Sequence, residues 1–210
     1  MSNPWAFGWN QIFAIVGLLV TVGVAIGGFR SFHRWKREKI EDFRIEIAFD
    51  ALALAYESRS VFRFIRNANG YEAEWESMPK RPGESDDDRS ARGVFFAILK
   101  RLQNRAEFFQ RAYALQPRVA AVLGPQHDSL FENLFGARNA VEFAAQEMTW
   151  RIPPTPIERS EEDFQRRMRY RGIVWEDFAD DDEVEPKLDE FRREVETCCR
   201  PIVRRRFEKT

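Results

Sequence analysis

The sequence predicts an all-α protein: a single N-terminal transmembrane helix continuing into a cytoplasmic antiparallel bundle of three to four main helices plus a C-terminal helix. Three observations carry that expectation. Residues 11–29, QIFAIVGLLVTVGVAIGGF, hold no charged side chain. Beyond residue 36, apolar residues return at steps of three, four or seven, which is the period of one helix face. No run of alternating β-branched residues is long enough to build a sheet.

The apolar run comes first. At about 1.5 Å of rise per residue it spans about 28 Å, close to the thickness of a bilayer's hydrocarbon core. A cleaved signal would need a basic stretch before the run and a small-residue site after it. No Lys or Arg precedes Arg30, and the run ends in Gly27-Gly28-Phe29. A surface-lying amphipathic helix would need a polar face, which residues 12–29 lack. A buried core helix is usually shorter.

Orientation follows from the charge step. Arg30, Arg34, Lys36, Arg37 and Lys39 follow the run, against one acid, Glu38. Basic flanks stay in the cytoplasm, so the N-terminus is expected outside the cell membrane and the C-terminal domain inside it. Trp5 and Trp9 on one side, and Trp35 on the other, suit the aromatic belts of the two interfaces. Arg30, Arg34, Lys36 and Arg37 suit anionic headgroups. The expected divisions are an extracytoplasmic segment 1–10, the span 11–29, a basic juxtamembrane segment 30–39, and a helical domain 40–210. Gly23 and Gly27 form a GxxxG spacing, which lets two membrane helices approach closely and makes a homo-oligomer one expected arrangement.

A long helix is expected over 36–68, with Ile40, Phe43, Ile47, Ala51, Leu54, Val61 and Ile65 on one stripe. Asn67, Asn69 and Gly70 supply the stop. Residues 71–88 read as a mobile loop, broken by Pro79, Pro82 and Gly83. Ser85 and three aspartates then favour a helix start. That second helix should run over 86–116 with Phe95, Ile98, Leu102, Ala106, Phe109 and Tyr113 inward. Pro117 should kink or end it, and Gly124-Pro125 is a firm break. A third helix is expected over 127–150, capped by Asp128 or Ser129, before the Pro-rich break 152–156. Residues 158–170 look helical but highly charged, and Gly172–Trp175 reads as a turn or extended piece. A last helix, 184–205, presents Val184, Leu188, Phe191, Val195, Cys198 and Ile202.

Composition excludes several classes. Lys+Arg total 33 against 34 Asp+Glu, so the chain lacks the positive footprint that nucleic-acid binding needs. The two cysteines are adjacent, Cys198-Cys199, so neither a disulfide framework nor C-x-x-C spacing is available. One is expected in a helix core and one beside it. Neither histidine, His33 or His127, follows a Glu by three residues, so a di-iron bundle is not expected. No nucleophile elbow, P-loop or dinucleotide fingerprint is present, and no cofactor is expected.

One polar pattern stands out. Asp50, Glu57, Arg105 and Arg138 each lie three or four residues from an apolar stripe position. If their helices pack together, two acids and two arginines could meet near the core. Such a set would fix helix register or form a ligand pocket; otherwise the four are solvated flank residues. Arg166, Arg167, Arg169 and Arg171 read as a solvated, charge-balanced surface.

These features favour a membrane-anchored protein-interaction, scaffolding or regulatory module at the cytoplasmic face, with the bilayer and a protein partner or a second copy as its contacts. The alternative is a small-molecule sensor or enzyme whose site lies between Asp50, Glu57, Arg105 and Arg138. The absence of recognisable catalytic groups favours the first.

Overall fold

The computed structural model describes residues 8–151, 161–176, 178 and 182–207. Every regular element among them is helical. The chain divides into two units, Met1–Ile45 and Glu46–Thr210. Helix α1, Trp9–Ile65, supplies the described part of the first unit and the opening helix of the second. In the first unit no Pro interrupts the helix, and the apolar side chains from Ile12 to Phe43 are exposed, while Ile45 is buried.

In the second unit, α1 buries Ile47, Ala48, Ala51, Leu54, Ala55, Val61, Phe62 and Ile65. These follow the helical period, so one face turns to the core. Ile40 and Phe43, expected at the head of this stripe, are exposed and lie in the first unit, outside that core.

Residues 71–88, expected as a mobile loop, hold the short helix α2, Glu72–Trp75. The remainder is tied down by side chains described below, and Met78 within it is buried. Ser85 caps helix α3, Asp86–Asn104, accepting from the Asp88 amide at 3.1 Å, and three aspartates occupy the first turn. This is the start the residue types favour: acids sit against free N–H groups.

The helix expected over 86–116 is two helices. Arg105 leaves helical geometry at φ −102°, ψ 15°, and α4 runs from Ala106 to Leu123. Beyond the break, Phe108 and Phe109 both turn inward. Pro117 lies inside α4 without ending it. Gly124, at φ +119°, does end it, in a backbone region that side-chain-bearing residues avoid.

The expected cap at Asp128 or Ser129 does not form. Pro125–Phe131 is a 3-10 segment, and α5 begins only at Glu132 and runs to Gln146. A π-helical turn, Glu147–Arg151, follows. Helix α5 is the centre of the bundle, packed against α3, α6 and α7. Ala137, Ala144 and Ala145 on its buried face are small enough for the neighbouring backbones to come close.

Helix α6 is Glu161–Val174, so the expected turn at 172–175 is mostly helical. Ile173 and Val174 are buried, and that burial outweighs the weak local preference of Gly172. Helix α7 is Glu185–Phe207, with Pro186 harmless in its first turn. Leu188, Phe191 and Val195 face the core as expected, but the buried cysteine is Cys199, one position beyond the expected Cys198. The core closes on aromatic contacts: Phe62 meets Phe109 edge-on at 6.0 Å, Phe131 meets Phe191 at 5.5 Å, and Phe95 stacks on Trp175 at 5.0 Å. The Pro-rich break 152–156 lies outside the described residues.

Candidate functional site: an exposed apolar helix and a set of buried arginines

From Ile12 to Phe29 the first unit presents an apolar surface that carries no charged side chain. No part of its most apolar window is buried, and Phe13 and Val24 expose 68% and 70% of their surface. By length and composition the helix is able to cross a membrane. Water is a poor solvent for such a surface, because apolar burial is what drives folding at roughly 25 cal/mol per Å². One polar side chain interrupts the run, and it is satisfied internally: Thr21 Oγ1 donates to the Gly17 carbonyl at 2.8 Å. That bond removes the penalty an unpaired hydroxyl would carry in hydrocarbon.

The basic segment that follows stays on the helix surface. Arg34 pairs with Glu38 at 2.9 Å, and the Arg37 Nε donates to the His33 carbonyl at 3.4 Å. Trp35 lies beside Phe32 with ring centroids 5.9 Å apart. Arg30, Lys36 and Trp35 are exposed. Side chains built at Gly23 and Gly27 would meet nothing within 4 Å. Trp5 and the side chain of Trp9 lie outside the described residues.

The four residues expected to converge do not. Asp50 is exposed, its carboxylate 3.8 Å from Arg118. Glu57 takes both its bonds from Arg111, each 2.7 Å long. Arg105 is exposed and lies over the Phe64 ring at 4.5 Å. Arg138 pairs with Glu142, one turn along its own helix, at 3.0 Å, and covers the Phe109 ring at 5.3 Å. Each long side chain reaches an edge of its apolar face, where a nearby opposite charge or ring satisfies it without burial.

Three other arginines occupy the interior, and sequence periodicity gave no sign of them. Arg66, the residue after α1, is wholly buried. Its Nε donates to the Ile173 carbonyl at 2.9 Å and its Nη2 to Gly172 at 3.0 Å and Trp175 at 3.3 Å. Its Nη1 reaches Asp182 Oδ2 at 2.8 Å. It therefore covers the free carbonyls at the end of α6, where the helix dipole is negative.

Arg101 does the same for the end of α1. It donates to the Asn67 and Asn69 carbonyls, both at 2.6 Å, and grips Glu74 of α2 with two bonds of 2.7 Å. That bond set, chiefly the Arg101 guanidinium, holds the Glu74 carboxyl below its ordinary value.

Arg92 of α3 grips Glu84 through two bonds of 2.7 and 2.8 Å, donates to the Pro79 carbonyl at 2.8 Å, and lies 5.4 Å from the Trp150 ring. The Arg92 guanidinium lowers Glu84 to about 2. Arg81 donates to the Thr149 and Trp150 carbonyls at 2.8 and 2.6 Å, and burial lowers its own value. These pairs pin the segment expected to move. Each uses the planar, multi-donor guanidinium, which lysine cannot imitate. Arg outnumbers Lys in the chain, and at these positions that choice has a structural use.

In the cluster 166–171, Arg166 and Arg169 are exposed as expected, while Arg167 and Arg171 are half-buried. Arg166 pairs with Asp163, Arg169 bonds Glu183 at 2.7 Å, and Arg171 lies 5.9 Å from the Trp175 ring. Among the described residues, no three His, Cys, Asp or Glu side chains stand together to hold a metal ion. Comparison with protein-family models, curated proteins and solved structures gives no match.

Proposed function

We propose that this chain is a single-pass, membrane-anchored helical protein with its N-terminus outside the cell, whose bundle acts at the cytoplasmic face as a protein-interaction or scaffolding module. The observation that carries the anchor is the solvent-facing apolar surface from Ile12 to Phe29. A lipid core satisfies that surface, and the single internal hydroxyl is already bonded within the helix. The uncharged leading flank and the basic trailing flank favour the stated orientation. The bundle's role as a binding module rests on what its polar residues do: the interior arginines tie helix ends together, and the four dispersed residues share no pocket.

The test is fractionation of cells expressing the chain with a C-terminal tag. Under this reading the intact chain stays with membranes after carbonate washing, and added protease reaches the tag only once the membrane is opened. Release of the intact chain into the supernatant overturns the anchor. Recovery of a shortened chain lacking the apolar run makes that run a cleaved signal. Digestion of the tag on sealed cells overturns the orientation.

A further inference from the structure

The vicinal cysteines of α7 differ sharply in surroundings. Cys199 is wholly buried in the core, while Cys198 is half-buried and lines a cleft of about 400 Å³ with His127, Ser129, Glu194 and Thr197. Their sulfurs are 3.3 Å apart. One thiol is thus open to a small solute, and its immediate neighbour is shielded from solvent but in contact with it.

We propose that Cys198 is a modification site oxidised by hydroperoxides, and that Cys199 resolves the product as a vicinal disulfide. This goes beyond the membrane reading and does not rest on it. The chemistry closes in two steps. The Cys198 thiolate attacks one peroxide oxygen, the O–O bond breaks, and Cys198 becomes a sulfenic acid. The leaving oxygen takes a proton and departs as water or an alcohol. The Cys199 sulfur then attacks the Cys198 sulfur, an S–S bond forms, and hydroxide leaves with the Cys199 proton as water. Two thiols lose two electrons in all, and the peroxide gains them.

Three features of the helix favour this course. The hydrogen bond between the two sulfurs holds Cys198 below the usual thiol value and, together with burial, pushes Cys199 up. The thiolate, the reactive form, is therefore favoured on the exposed side. The sulfurs must close by only about 1.2 Å to reach a disulfide bond length. Ring closure between adjacent residues must also distort the backbone, and here the helix is already weakened. Pro201 lies inside α7 and has no N–H to offer the Thr197 carbonyl. The turn with the missing bond is the one that encloses Cys198 and Cys199.

The experiment uses the full chain in detergent, fully reduced, then exposed to hydrogen peroxide with and without dimedone, and read by peptide mass spectrometry. Wild type should lose two hydrogens (about 2 Da) in the single peptide containing both cysteines, reversibly with dithiothreitol. Cys199→Ala should stop at a dimedone-trapped adduct on Cys198, and Cys198→Ser should give neither product. Without oxidant, iodoacetamide should alkylate Cys198 at least about tenfold faster than Cys199. Equal alkylation rates, disulfides only between separate chains, or overoxidation with no intrapeptide bond would overturn the proposal. If Cys199→Ala fails to fold, the wild-type mass shift and the alkylation ratio decide it.

Discussion

Arg66 Nη1 stands 2.8 Å from Asp182 Oδ2, and that contact joins the end of α1 to the start of α7. The other carboxylate oxygen, Asp182 Oδ1, accepts from the Val184 amide at 2.8 Å. One aspartate thus serves a helix start and a buried cation at once. The same guanidinium closes the end of α6, so three helix ends meet on one side chain.

Arg66→Ala should therefore destabilise the bundle strongly, by about 3–5 kcal/mol, because it leaves carbonyls and a carboxylate unpaired in the interior. Arg66→Lys should recover less than half of that. An ammonium keeps the charge but cannot bond Gly172, Ile173 and Asp182 together. Thermal unfolding of the full chain in detergent measures both. Equal stability of the Lys variant and wild type would mean that charge alone suffices.

Acid should loosen the segment between α2 and α3. Glu84 has a folded value of about 2, below its ordinary 4.5, so its stabilisation is complete above about pH 4.5 and disappears as pH falls through 2. Glu74 is shifted the same way by Arg101. Glu185 is shifted upward by burial and works in the opposite sense. Glu84→Gln should lower stability near neutrality by on the order of 2 kcal/mol and flatten the decline across the acid window. Melting temperatures recorded from about pH 6 down to about pH 2 check both parts.

Two helical glycines should respond oppositely to alanine. At Gly93, in α3, a new Cβ would lie 2.5 Å from the Trp75 ring, while at Gly136, in α5, the nearest atom is the flexible Lys187 Cδ at 4.0 Å. Gly136→Ala should stabilise by about 0.5–1 kcal/mol, the ordinary helical gain. Gly93→Ala should lose that gain and destabilise by about 1–3 kcal/mol, since Trp75 must leave its seat. Chemical denaturation of the two variants side by side gives the comparison.

Arg138→Ala should cost about 1 kcal/mol or less. Its charged partner, Glu142 on the same helix face, is only partly shielded from water, and its other contact is the outer face of the buried Phe109 ring. A loss above about 3 kcal/mol would mean that Arg138 carries a buried pairing after all.

How much of this was legible beforehand depends on the range of the interactions concerned. The apolar run, its basic flank and the inward stripes of α3 and α7 depend on local composition and a fixed helical period, so Phe95, Ile98, Leu188, Phe191 and Val195 were readable from spacing. The break at Arg105 and the 3-10 entry to α5 were not readable. Local preference there is nearly flat, and the packing of Phe108, Phe109 and Phe131 settles the backbone. The polar interior was missed altogether. Periodicity ranks residues by hydrophobicity and places arginine outside, yet Arg66, Arg92 and Arg101 are inside. Their partners lie at the ends of distant helices, and carbonyls freed at a helix end become visible as acceptors only once the chain has brought them to the guanidinium. Short-range regularity was therefore enough to give the all-helical class, the main inward stripes and the anchor-like segment. Which charges could be buried rested on long-range hydrogen-bond geometry, because a buried cation is tolerable only where a carboxylate and carbonyls converge on it.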